Sequence, residues 1–305
     1  METTPQPYVE VDGRPAAAGD LRPLALANDG HLTTMQVRAG KVRGLALHLR
    51  RLDDANRELY GTGLDEELLR ARIRHALAAW PDPGAAGHGG DATVRVVVFP
   101  AGGHGSGATG GGEVCVLVSA GPPAEPPAAP LRLCSVRPER PFAHLKHIGT
   151  FGQIHGGRVA RRRGFDDALL VTADGLVCET TIANIGFVDA PADGAQGPAT
   201  VVWPAAPALR GVTMTLLHER LRTPAGAPPA SPPPRRPPSL ESDPPLESVR
   251  EPVRLADTAR FRAAFVTNSR GLAAVERIDT TTFSPAPAVM AALRRVHTAV
   301  PWDEI

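Results

Sequence analysis

The stretch that decides the fold is Asp174-Gly-Leu-Val-Cys-Glu-Thr-Thr-Ile-Ala-Asn-Ile-Gly-Phe187. Upstream of it, Asp167-Ala-Leu-Leu-Val-Thr172 is a short apolar run of strand length, and Leu176-Val-Cys178 is another. Ala173-Asp-Gly175 between them is a hairpin turn signal. Ile185-Gly-Phe-Val188 reads as a third strand. Glu179 ends an apolar strand and precedes two threonines. A carboxylate there is costly to bury unless it is paired or hydrogen-bonded. Two readings are open: a partner for a protonated ring nitrogen, or a strand-end residue in solvent. Asn184 is expected to make a structural turn bond.

Outward from this stretch, strands and helices mix without a strict βαβ alternation, which points to an α+β protein of two domains. The first is expected over 1–120, smaller and α/β; the second over 131–305, larger and β-rich with helices. The Pro-rich run 121–130 joins them. In the first domain Tyr8 to Gly13 suggests a strand and turn, and Thr33 to Arg43 a hairpin around Ala39-Gly40. Leu45, Leu49, Leu52 and Leu59 fit one helical face through Tyr60, stopped by Gly61. A second helix is expected from Asp65 to Trp80, then strands over 93–99 and 113–119. The Gly-rich loop 102–112 lacks the Gly-Lys-Ser/Thr ending of a phosphate loop and reads as a hairpin tip. In the second domain strands are expected over 131–136, 200–203, 261–267 and 272–278, with helices near 153–163, 212–221 and 286–296. The Pro-, Ser- and Arg-rich 224–247 reads as a disordered insertion.

Composition narrows function. The 305 residues carry a formal charge of +1, so no basic field points to nucleic acid. No apolar run is long enough to span a membrane, and Met1-Glu-Thr-Thr-Pro-Gln-Pro7 has no leader pattern, so a cytoplasmic protein is expected. Cys115, Cys134 and Cys178 sit beside Val or Leu and read as reduced core thiols. The histidines show no metal-ligand spacing. Arg158, Arg161, Arg162 and Arg163 read as a charged helix face.

Of the 33 Lys and Arg residues, all but Lys41 and Lys146 are arginine. Arginine replaces lysine wherever only a cation is wanted, but not where an amine must lose its proton and attack a carbonyl. Lys146, in Phe142-Ala-His-Leu-Lys-His-Ile-Gly-Thr-Phe151, is therefore the candidate for covalent chemistry. Lys41 beside Ala39-Gly40 reads as a solvated turn residue. Gly211-Val-Thr213 opens a helix, where exposed N–H groups and a hydroxyl favour an anion, and Thr267-Asn-Ser-Arg-Gly271 follows a buried-looking strand. An ordinary helix cap is the alternative at the first. His48-Leu-Arg-Arg-Leu52 puts Arg51 on the first long helix, as a phosphate ligand or as part of a solvated face.

Taken in order, these segments resemble the class IV pyridoxal-phosphate aminotransferases, which include branched-chain and D-amino-acid aminotransferases and aminodeoxychorismate lyase. The resemblance covers nearly the whole chain and implies the family's two-domain fold and a pyridoxal 5′-phosphate cofactor. It implies that Arg51 binds the cofactor phosphate, that Lys146 forms the Schiff base and that Glu179 pairs with the pyridine nitrogen. Val212 and Thr213 of the Leu209-Arg-Gly-Val-Thr213 turn, with Asn268 and Ser269, complete the phosphate contacts. An amino donor, a 2-oxo acid acceptor and a homodimer are implied with them. Departures surround the substrate side. Phe151 replaces the usual Tyr, Thr150 the Asn beside it, and Ala274 a Pro. Asn28-Asp-Gly-His-Leu-Thr-Thr34 replaces a Gly-Asp-Gly-aromatic-Glu-Thr stretch. Three activities are compatible with this pattern: amino transfer, lyase elimination of pyruvate from an aminodeoxychorismate-like substrate, and cofactor binding without turnover.

Overall fold

The computed structural model describes residues 6–80, 90–102, 112–137, 140–189, 199–221 and 246–305. The chain forms two units: Met1–Glu125 with Leu145–Thr150 and Pro301–Ile305, and Pro126–His144 with Phe151–Val300.

The first unit contains β1 (Tyr8–Val11), β2 (Arg14–Pro15), α1 (Ala18–Ala27), β3 (His31–Arg38), β4 (Lys41–Val42), α2 (Leu45–Tyr60), α3 (Glu66–Ala79), β5 (Ala92–Pro100) and β6 (Val114–Gly121). Its sheet runs from the C-terminal strand Asp303–Glu304 through β4, β3, β5, β6 and β1 to β2. Successive side chains of a strand point to opposite faces. In β5, Val94, Val96 and Val98 therefore join Leu45, Leu49 and Leu52 of α2 and Leu69, Ile73 and Leu77 of α3 in one core. Val97 and Phe99 join Val11, Leu32 and Leu117 on the other face, with Leu24 of α1 packed against them. Both faces are covered at the end of β5, so its apolar run is continuous instead of alternating. The hairpin between β3 and β4 turns at Ala39 and Gly40, both at positive φ (50° and 74°). Asp65 caps α3, accepting from Leu68 N at 3.1 Å.

The second unit contains β7 (Leu131–Val136), α4 (Phe151–Arg162), β8 (Asp167–Val171), β9 (Val177–Thr180), β10 (Asn184–Asp189), β11 (Ala199–Pro204), α5 (Val212–Leu221), β12 (Leu246–Glu251), β13 (Ala263–Asn268), β14 (Gly271–Ile278), β15 (Thr281–Thr282) and α6 (Pro287–Thr298). Strand order is β12-β11-β10-β13-β14-β7-β8-β9, with β15 on β14. Pairings of β7 with β8 and β14, and of β11 with β12, are parallel; the others are antiparallel. Val177 of β9 and Val202 of β11, far apart in that order, share one core with Leu133, Phe187 and Val275, so the sheet curls around it. Leu217 of α5 and Leu293 of α6 pack with Trp203 and Phe265 in a second core, and Ala160 of α4 packs with Cys134 and Cys178.

The mixed α+β class matches the expectation. The division of the chain differs from the expected one: the crossing at Glu125–Pro126 lies within the Pro-rich run, yet two later segments belong to the first unit. Leu145–Thr150 does so because Leu32 N donates to Lys146 O (2.8 Å) and Ile148 N to Gly30 O (2.9 Å). The C-terminal strand does so because it pairs with β4 and its Asp303 carboxylate accepts from Leu45 N, at the start of α2. The Gly-rich loop lies outside the described residues, apart from its ends, and so does the proline-rich insertion as far as residue 245. At Leu246, inside the span expected to be insertion, the chain already pairs in parallel with Ala199 of β11. Helix α1 was not expected from the sequence. It buries no residue fully and contains Pro23, so it has no apolar stripe to read. None of the three cysteines is in a disulfide; Cys134 and Cys178 are buried and Cys115 is half-buried. Burial, with Asp12 nearby, pushes the Cys115 thiol up to about 11, so it is an inert core thiol as expected.

Candidate active site

The candidate residues fall into two sets, one in each unit. In the first unit Lys146 lies beside β3, its backbone carbonyl taken by Leu32 N and its neighbour His147 bridged to His31. Its side chain is half-buried. His48, buried on α2, has Nδ1 2.7 Å from Thr33 Oγ1. Arg51, one turn on, donates from Nη1 to the same hydroxyl at 3.5 Å. Burial first, then the positive charges of Arg51 and Lys146, hold His48 down at about 3. The ring is therefore neutral at ordinary pH and can accept the Thr33 proton. The two cations of the expected site thus act on one neutral imidazole. Behind them His31, held at about 4 mainly by burial, lies with Nε2 3.3 Å from Asn56 Oδ1. Tyr60 donates to Asp29 Oδ1 at 3.0 Å, and burial with Asp29 pushes its phenol up.

In the second unit the set gathers at the ends of β9, β10 and β13 and the start of α5. Glu179 is only 5 % exposed, so the solvated strand-end reading is corrected. The strand-ending position lies inside the curled sheet, and its carboxylate is partnered there. Oε2 accepts from Leu209 N at 3.2 Å, and Oε1 lies 3.9 Å from Nη1 of Arg140, itself 6 % exposed. Burial pushes the Arg140 guanidinium down and the Glu179 charge opposes it. Sequence reasoning missed Arg140, since one arginine among many carries no sign that it is buried.

Asn184 makes the expected turn bond, and more. Its Nδ2 donates to Leu209 O at 2.6 Å and its Oδ1 accepts from Gly211 N at 3.1 Å. The first helical bond of α5 is Thr215 N to Gly211 O (2.9 Å), so the N–H groups of Val212, Thr213 and Met214 precede the helical ladder. Thr213 Oγ1 donates to Asn268 O at 2.8 Å, tying α5 to the end of β13. Asn268 Oδ1 accepts from Arg270 N at 2.9 Å, closing the turn that contains Ser269 between β13 and β14. Thus Glu179, Val212, Thr213, Asn268 and Ser269 are neighbours within this unit. Phe151 opens α4 and is 73 % exposed, its ring stacked on His155 at 6.1 Å.

Each set by itself has groups that fit part of a phosphorylated pyridine aldehyde. In the second unit three helix N–H groups suit an anion and a buried carboxylate suits a protonated ring nitrogen, and in the first a half-buried lysine suits an aldehyde. Among the described residues no group of three His, Cys, Asp or Glu side chains could hold a metal ion. No described helix is long and apolar enough to cross a membrane.

Residues 30–223 match the family model for amino-transferase class IV, well over half of the chain. The chain belongs to the class IV aminotransferase family. Class IV aminotransferases are pyridoxal 5′-phosphate enzymes, so this one is too. No curated protein sequence matches it. The fold is similar to that of a branched-chain aminotransferase from Thermoproteus uzoniensis with norvaline, at TM-score 0.72 and 18% identity, covering 95% of this chain and 93% of that one. A hypothetical aminotransferase from Mycobacterium tuberculosis in its PLP-bound form gives 0.69 and 19%, covering 96% and 98%. A putative 4-amino-4-deoxychorismate lyase from Legionella pneumophila gives 0.69 and 18%, covering 98% and 97%. Class IV structures thus share this chain's fold.

Proposed function

We propose that this class IV enzyme is an aminotransferase, moving an amino group between an amino acid or amine and a 2-oxo acid. The observation that carries the reading is Lys146: one of only two lysines, placed with Arg51 where both act on His48. When bound, pyridoxal phosphate supplies an electron sink for the pair left as the substrate Cα–H bond breaks. Lys146 would hold the cofactor covalently through Nζ, and the same Nζ, as a free amine, would be the base that takes up and returns the substrate proton. Glu179, as a carboxylate, would accept a hydrogen bond from the protonated ring nitrogen, with Arg140 and the Leu209 N–H stabilising its charge. Arg51, the N–H groups of Val212 and Thr213, and the Asn268–Ser269 turn would hold the phosphate, away from the cofactor's reacting end. The working form we propose is a cytoplasmic homodimer.

Phe151 favours a second reading, a lyase releasing pyruvate from an aminodeoxychorismate-like substrate. A phenyl ring donates no hydrogen bond where the resemblance leads one to expect a tyrosine, and the Legionella structure bears a lyase name.

Both readings are tested on the purified full chain with added pyridoxal phosphate. A visible band that borohydride bleaches, with the label retained on Lys146 after digestion, is the expected result. Swapped amine from a donor and 2-oxo acid pair then supports transfer, whereas pyruvate release without an acceptor supports the lyase. A chain that stays colourless would overturn both.

A further inference from the structure

The segment between β11 and α5 is held by side chains. Leu209 is buried and outside any strand, so its backbone N–H and C=O must find partners. Glu179 Oε2 takes the N–H at 3.2 Å and Asn184 Nδ2 gives to the C=O at 2.6 Å. Asn184 Oδ1 also takes Gly211 N at 3.1 Å, while Gly211 O accepts both Thr215 N and Thr215 Oγ1 at 2.9 Å. The side-chain amide of Asn184, 6 % exposed, therefore spans the turn with a donor on one side and an acceptor on the other. The fit leaves no room: a Cβ at Gly211 would lie 2.0 Å from Asn184 Oδ1. Asn184 also opens β10 opposite Thr267 of β13, the residue before Asn268. Asparagine is a poor strand former, so the strand's own stability does not explain it.

We propose that Asn184 is the positioning residue for the cofactor phosphate, setting the 209–211 turn so that the first N–H groups of α5 meet the anion. This rests on the reading above, in which Val212 and Thr213 bind that phosphate. The two side-chain hydrogen bonds of Asn184 go to the backbone of the turn, so it acts through the turn. Leu209 N of the same turn donates to Glu179 Oε2, a bond that belongs to the ring-nitrogen end and that Asn184 does not make.

The test compares full-chain binding of pyridoxal phosphate and of pyridoxal, which lacks the phosphate, followed by visible absorbance. The variants are Asn184→Ala, Gly211→Ala and the double variant. Asn184→Ala removes two buried hydrogen bonds and should weaken pyridoxal phosphate on the order of tenfold. Pyridoxal binding should change less than about twofold, because pyridoxal has no phosphate for the α5 N–H groups to hold and neither variant removes the Leu209 N–H bond to Glu179. Gly211→Ala displaces the Asn184 amide and should give the same selective loss. The double variant should lose little more, since both changes break one interaction. Equal losses for the two ligands, or losses that add in the double variant, overturn the proposal. If Asn184→Ala does not fold, Gly211→Ala carries the comparison alone. A wild-type chain that binds both ligands equally tightly sinks the phosphate reading itself, a result distinct from loss of selectivity in the variants.

Discussion

The first unit presents reactive side chains; the second presents backbone and uses side chains to hold it in place. In the first, Lys146 on a returning segment and Arg51 on a helix both act by their charge on a neutral histidine, and a single hydroxyl, Thr33 Oγ1, meets both His48 and Arg51. In the second, Glu179 and Asn184 spend their polar atoms on residues 209–211, and Thr213 spends its hydroxyl on Asn268 O. The difference follows from the chemistry proposed for each. A nucleophilic amine has to change partners during turnover, so its surroundings supply field and solvation. An anion cradle works by not moving, so its surroundings supply bonds.

The largest effect should come from the mobile side. Lys146→Arg keeps the charge near His48 and removes the amine that can lose its proton. We expect amino transfer to fall on the order of 10³-fold or more, with the far-UV spectrum and unfolding midpoint little changed. Turnover within tenfold of the wild type would remove covalent chemistry from the first unit and erase the contrast.

On the rigid side Glu179→Gln should cost stability as well as rate. It leaves Arg140 buried without its charge partner, and breaking such a pair costs about 3 kcal/mol when both groups are buried. Urea unfolding reads that loss. Transfer at saturating cofactor should fall on the order of 10²-fold. An unchanged unfolding midpoint would mean that the carboxylate is not part of the rigid network.

These two variants also separate what the sequence could say from what it could not. The lysine and glutamate could be singled out because the proposed chemistry constrains their residue types, and α2, α5 and β7 were legible because burial follows helical and strand periods. Arg140 was not legible, because a period reports which face is buried and not which cation lies on it. Nor was the return of Leu145–Thr150 to β3, or of Asp303–Glu304 to β4, since pairing between residues over a hundred positions apart leaves no local trace. Asn184 stands between these cases. Its type announced a turn bond, but only the fold shows that the turn is the one before α5.

A smaller effect is expected with pH. His48 and His31 are held at about 3 and about 4 in the folded chain, below the ordinary value of 6.5. Both rings are neutral in the folded state and protonate first in the unfolded one. Their contribution is complete above pH 6.5 and is lost as pH falls toward the folded values. Each ring should cost roughly 2 kcal/mol at pH 5 relative to pH 7. Urea titrations at the two pH values should show the wild type weakening on acidification. His48→Gln should weaken by about half as much from these two rings. An unchanged slope in the variant would show that His48 is not the buried neutral ring beside the two cations.

The smallest effect concerns the other lysine. Lys41 lies on β4, next to the edge strand Asp303–Glu304 of the same sheet, with Nζ 2.6 Å from Glu304 Oε1 and the two side chains 44% and 74% exposed. An exposed ion pair gains little, because water and salt screen it and two long side chains must be ordered to form it. Lys41→Ala should therefore change the unfolding free energy by less than about 1 kcal/mol, and the change should shrink further in high salt. Amino transfer should be unaffected. This comparison matters because the argument for Lys146 began from scarcity, and scarcity applies equally to both lysines. If Lys41→Ala cost turnover as Lys146→Arg does, scarcity would not tell a chemical lysine from a surface one. The field of Lys146 on His48, which Lys41 does not exert, would then have to carry the assignment alone.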